Sequence, residues 1–161
     1  MKPSRMIFVL GMAAACLAVR AGLHAAADDL LKIEASVRPK SLSRGEEGNV
    51  VLRVTAGEGI SLSPHPSFTI EFSPCPELVF PKKSYTHSDL DIEVLEDEEG
   101  KSLNMSDPVE IPFTVSLQAK RGSHILQGKV KYFAYSKKEG WCLKDTAKFS
   151  VSFSTRQLSI K

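Results

Sequence analysis

Residues 109–117 read Val109-Glu110-Ile111-Pro112-Phe113-Thr114-Val115-Ser116-Leu117. Every second side chain is apolar. The residues between them are polar, apart from Pro112. Successive side chains of a strand point to opposite faces of its sheet, so this period of two predicts a strand with one buried face. Pro112 has no N–H to give to a neighbour. It therefore predicts that this strand is an edge, or carries a bulge there.

The same period recurs on both sides of this stretch. Downstream, Leu126, Val130, Tyr132 and Ala134 form one stripe, with Gly128 in line, and Ala147, Phe149, Val151 and Phe153 form another. Upstream stand Leu31, Ile33, Ala35 and Val37, then Val50, Leu52 and Val54, then Phe68, Ile70 and Phe72. Ile60–Ser63 and Leu78–Phe80 are weaker strand candidates. Turn signals separate the runs: Ser43-Arg44-Gly45, Gly57-Glu58-Gly59, Pro64-His65-Pro66, Pro74-Cys75-Pro76 and Arg121-Gly122-Ser123. No window of similar length carries a helical period. Short antiparallel strands, each with one polar face, predict two sheets packed face to face. Residues 110–118 and 124–134, joined through 119–123, read as a hairpin. Residues 84–107 break the alternation and carry Asp89, Asp91, Glu93, Glu96, Asp97, Glu98 and Glu99. Two readings stand there: a solvated excursion between strands, or a functional loop. The spacing of an EF-hand calcium loop is missing.

The chain has 161 residues, 42% hydrophobic and 25% charged, with only 10 Gly and 9 Pro. That composition excludes collagen-like, low-complexity and wholly disordered chains, and the length predicts one domain. Residues 1–27 have the form of a secretory signal peptide: basic Met1–Arg5, fourteen uncharged residues from Met6 to Val19, and Ala25-Ala26-Ala27 before the cut. The apolar run is too short for a membrane span, which needs about 20 residues. A second route exists at Cys16, which follows Ala13-Ala14-Ala15 as a lipid-anchored cysteine would. Lys2, Arg5 and Arg20 leave with the leader. The 21 basic residues then fall to 18 against 19 acidic, a net charge of −1. Nothing in that balance points to nucleic acid. The expected product is a single soluble domain, 28–161, in the periplasm or secreted. It carries Cys75 and Cys142 into an oxidising compartment. His65, His87 and His124 have no metal-ligand spacing, and no C-x-x-C, H-E-x-x-H, nucleophile elbow or phosphate loop is present. No metal and no cofactor are implied.

The end of the chain holds a more specific pattern. The strand-like run to Tyr132-Phe133-Ala134-Tyr135-Ser136 is followed by a short loop and Gly140-Trp141-Cys142. Together with Val109-Glu110-Ile111-Pro112-Phe113, this resembles the N-terminal periplasmic domain of the DsbD disulfide reductase and its free-standing bacterial relatives. The resemblance covers the last third of the chain, and residues 28–83 fit as an immunoglobulin-like strand pattern. It implies an immunoglobulin-like antiparallel β-sandwich of about seven to nine strands. It also implies a cysteine pair exchanging electrons with thioredoxin-like or other periplasmic partners, guarded by a cap-like loop where residues 84–106 stand. One position departs: Tyr135 stands in place of the first family cysteine. A two-cysteine carrier needs an attacking thiolate and a resolving thiol, and only Cys142 carries over.

Three readings of Cys142 therefore stand open: a remnant nucleophile, an inert packed thiol, or a partner of Cys75. Lys137, Lys138 and Lys144 lie near it in sequence, and neighbouring cations favour a thiolate. Cys75, between Pro74 and Pro76, is the candidate second thiol. Tyr135, Ser136 and Trp141 are the candidate partner-binding residues, since Trp and Tyr often anchor protein contacts. The chemistry follows one of two lines: thiol–disulfide interchange, impaired by Tyr135, or a redox-silent binding or structural module of the cell envelope.

Overall fold

A computed structural model describes residues 30–66 and 68–157. Twelve strands follow in order: β1 (Leu31–Arg38), β2 (Ser41–Ser43), β3 (Glu47–Ala56), β4 (Ser61–Leu62), β5 (Thr69–Phe72), β6 (Leu78–Val79), β7 (Ser84–Thr86), β8 (Val94–Asp97), β9 (Gly100–Leu103), β10 (Val109–Val115), β11 (Gly122–Ser136) and β12 (Trp141–Arg156). One sheet has the order β1-β3-β10-β6. The second has the order β2-β12-β11-β5-β7, with β4 beside the end of β11, and β8 pairs β9 as a separate hairpin. Every pairing is antiparallel except that of β2 with β12. The chain is an all-β, immunoglobulin-like sandwich. Among the described residues no helix is long and apolar enough to cross a membrane.

The apolar stripes meet between the sheets. Val50, Leu52 and Ile111 from one sheet are fully buried, as are Ile70, Leu126 and Val130 from the other. Each such side chain stabilises the fold by about 1.5–3 kcal/mol relative to exposure. Gly128 faces Phe149 across the β11–β12 ladder, and the Phe149 ring lies where a Cβ on Gly128 would go. The glycine thus makes room for an aromatic at the centre of the second sheet. Pro39 ends β1, and the chain crosses to the other sheet as β2.

Pro112 stands on an open edge. The Val115 N–H donates to the Glu46 carbonyl of the β3 side, so alternate residues, Pro112 among them, turn their nitrogens away from β3. On that outer side β10 meets only the two residues of β6, at Thr114 and Val115. The proline occupies a place where a missing N–H costs no ladder bond.

The structure corrects the sequence in four places. β10 and β11 are not a hairpin, because they lie in different sheets. The intervening turn crosses the sandwich, with Ala119 buried at its centre and its carbonyl accepting from Arg44 Nε. The true hairpin is β11 with β12, closed by residues 137–140. Leu117 does not extend the stripe. The Ser116 hydroxyl and carbonyl accept the amides of Gln118 and Ala119, so a turn begins there and leaves Leu117 72% exposed. The excursion 84–107 holds three short strands, and they carry the count above seven to nine. The signal peptide and Cys16 lie outside the described residues.

Candidate functional site

β11 and β12 form the longest ladder in the molecule, from Gly122↔Thr155 to Ser136↔Trp141. Its far end gathers the residues singled out from the sequence. Ser136 closes the turn: its carbonyl accepts the Gly140 N–H at 2.8 Å and its hydroxyl accepts the Glu139 N–H at 3.3 Å. Gly140 has φ 71°, which glycine adopts without strain. Ser136 is only 6% exposed, so it shapes the turn and does not face a partner. Tyr135 and Cys142 are direct cross-strand neighbours on the opposite, solvent face. Trp141 is half-buried against the core, and its indole N–H donates to Glu139 Oε2 at 2.8 Å.

The acidic excursion reaches this end. The Tyr135 hydroxyl donates to the Lys101 carbonyl of β9 at 3.1 Å. Lys137 Nζ donates to Glu99 at 2.7 Å and to Asp97 at 3.4 Å, and lies 5.8 Å from the Tyr135 ring centre. The bond to Glu99, then that to Asp97, raises the lysine above its ordinary value. The Glu99 N–H and Lys137 hold Asp97 below the usual carboxylate range. Leu103, buried, anchors the hairpin to the core. The excursion is therefore a folded β-hairpin clasping Tyr135 and Lys137, while Cys142 stays exposed.

The two cysteines are both free and are not brought together. Cys142 lies beside Tyr135. Cys75 lies two residues from Ser73, whose N–H donates to the Gln127 carbonyl, eight residues back along β11. Eight residues of strand span about 26 Å, whereas a disulfide needs Cα atoms within about 7 Å. Cys75 is half-buried. Its thiol donates to Glu77 Oε2 at 3.6 Å, and burial, with the Glu77 carboxylate beside it, pushes the thiol up. Of the lysines near Cys142, Lys137 is committed to carboxylates and Lys144 lies 5.9 Å over the Phe133 ring. Lys101, Asp97 and Glu99 come from the segment 84–106, which the resemblance set at the site as a cap-like loop without assigning a role to any of the three. Glu139 belongs to the site too, and nothing in the sequence singled it out. No group of His, Cys, Asp and Glu that could hold a metal ion exists among the described residues.

No family model and no curated protein matches the chain. Solved structures do. A cohesin module of a family 33 glycoside hydrolase from Clostridium perfringens is 10% identical with a TM-score of 0.47, covering 80% of this chain and 98% of that one. The major subunit of aggregative adherence fimbriae type I of Escherichia coli is 9% identical with a TM-score of 0.39, covering 78% and 95%. A PapD-like domain of human CEP192 is 15% identical with a TM-score of 0.33, covering 99% and 99%. None of the three bears on what this chain does.

Proposed function

We propose that the chain is an exported immunoglobulin-like binding module of the cell envelope, of the DsbD N-terminal-domain kind but redox-silent. Its docking surface is the ribbon end around Tyr135 and Trp141. The carrying observation is the cross-strand pair Tyr135↔Cys142. The position facing Cys142 holds a phenol tied to Lys101, and Cys75 lies far along the ribbon. A lone thiol cannot complete internal exchange. Half-buried aromatics beside a charged rim suit protein docking.

A second reading rests on the exposure of Cys142: this thiol forms a mixed disulfide with a partner and depends on that partner for resolution.

Intact mass of the exported protein after equilibration in glutathione buffers, with a photocrosslinker at Tyr135, tests both. The expected chain starts at Asp28 and carries at most one glutathione, on Cys142. Its Tyr135 crosslinks to a partner survive Cys142→Ser. An internal disulfide would overturn the redox-silent reading. Crosslinks lost with Cys142→Ser would transfer the function to the mixed disulfide.

A further inference from the structure

The solvent face of the second sheet is concave over β5, β11 and β12. Glu71, Lys129 and Lys148, together with the apolar Phe72, Pro74 and Phe149, line a groove of about 690 Å3 there. Its charge is net positive, two lysines against one carboxylate. Lys129 and Lys131 both turn to the single carboxylate of Glu71, at 3.3 and 2.7 Å. That double pairing holds Glu71 below the usual carboxylate range, the Lys131 bond being the stronger cause. Lys148 stands directly opposite Lys129 in the ladder, and no salt bridge to it is found among the described residues. Like charges facing each other across a strand pair destabilise a sheet, so packing gives no reason for this arrangement. Lys144, two pairs along from Tyr135, extends the cations toward the ribbon end.

We propose that this groove docks an acidic, extended segment of a protein partner, with carboxylates taken by Lys129, Lys148 and Lys144. The inference rests on the docking role proposed above and gives the partner its chemistry. Charge complementarity favours this occupant. A second copy laid face to face would set lysine against lysine, and the chain's own acidic hairpin already commits Asp97 and Glu99 to Lys137 and Glu93 to Asn104. A flat lipid surface meets the rim of a concave groove and not its floor. Lys129, Lys131, Phe133 and Tyr135 follow one another on the same face of β11, so an extended segment laid along that strand passes from the groove to the ribbon end.

The test is fluorescence anisotropy of the purified chain with a labelled Glu-Thr repeat peptide and its Gln-Thr counterpart. The glutamate peptide is expected to bind roughly fivefold tighter at low salt, the yield of two or three exposed ion pairs. The preference should fade above about 0.15 M salt, where the screening length is about 8 Å. Lys148→Glu combined with Lys129→Gln should abolish it without lowering the thermal stability of the chain. Equal affinity for the two peptides overturns the inference, as does a preference that survives the double variant. So does salt-dependent self-association lost in that variant, or binding to phosphatidylglycerol vesicles that exceeds binding to the peptide. The arms separate the two proposals. Tyr135 crosslinks without a glutamate preference leave the docking surface and remove the acidic partner. A glutamate preference without crosslinks removes the Tyr135 surface and leaves the groove.

Discussion

The two ends of the β11–β12 ribbon are built from the same kinds of residue and use them differently. At the near end, His124 is 14% exposed on its side chain. Its Nε2–H donates to the Lys120 carbonyl at 2.8 Å, and the Thr155 hydroxyl donates to the same carbonyl. Its Nδ1 lies 3.8 Å from Glu77, and its ring sits 5.2 Å from Phe153. These contacts tie His124, Thr155 and Glu77 to other parts of the fold. At the far end, Lys137, Asp97 and Glu99 face solvent, and Trp141 is only half covered. Each cysteine belongs to one end. Cys75 lies beside Glu77, in the tied end, and Cys142 lies in the open one. The first is half-buried and the second is exposed.

The largest expected effect separates the ends by stability. Phe153→Ala removes a side chain 3% exposed at the tied end and should cost about 3–5 kcal/mol in urea unfolding. Trp141→Ala removes a larger ring that is only partly buried and should cost no more than about half of that, since the loss scales with area taken from water. Equal losses would show that the far end is as structural as the near one.

The next effect is chemical. In the native state Cys142 should react with iodoacetamide at least roughly tenfold faster than Cys75, because Cys75 is shielded and its thiolate is disfavoured by burial and by Glu77. The difference should vanish in denaturant. Equal native rates would erase the division between the two thiols.

Most of the sandwich was legible because its signal is local. Alternation in 31–37, 50–54, 126–134 and 147–153 reports which face of each strand is buried, and the core follows that report. Two errors came from asking local sequence a non-local question. Residues 109–115 and 122–136 are consecutive strands, but nothing in their alternation says whether they share a sheet. The answer lay in Ala119, a small apolar residue that pins the crossing turn. The turn that does close a hairpin, Lys137-Lys138-Glu139-Gly140, carries a glycine in the position a tight turn needs. At the site, Tyr135, Trp141 and Cys142 were visible as a pattern near the end of the chain. Of their surroundings only the segment was placed, through the cap-like loop of the resemblance; Lys101 and Asp97 as contacts were not, since they arrive from some forty residues upstream in a stretch with no alternation to announce strands. The basic groove was hidden for the same reason: it exists only because Glu71, Lys129 and Lys148 come from three strands in register.

The smallest expected effect concerns the base of the acidic excursion. Asp89 accepts from Lys82, and from the Thr86 amide and hydroxyl, each at 3.0 Å. The Lys82 bond is the larger cause, and together these lower its carboxyl from 3.8 to about 2. A carboxyl lowered in the folded state contributes stability above its unfolded value and loses it as pH falls through its folded value. The tether should therefore hold above about pH 4 and be gone near pH 2. The group is fully exposed, so the loosening is local and should leave the sandwich folded. It can be read as amide exchange of Thr86 relative to Val130, which lies in a ladder flanked on both sides. Protection of Thr86 relative to Val130 should step down between those pH values in the native chain and show no step in Asp89→Asn. A step that persists in the variant would assign the acid sensitivity to the tip carboxylates at Lys137, and the open region would then extend from the hairpin's tip and not from its base.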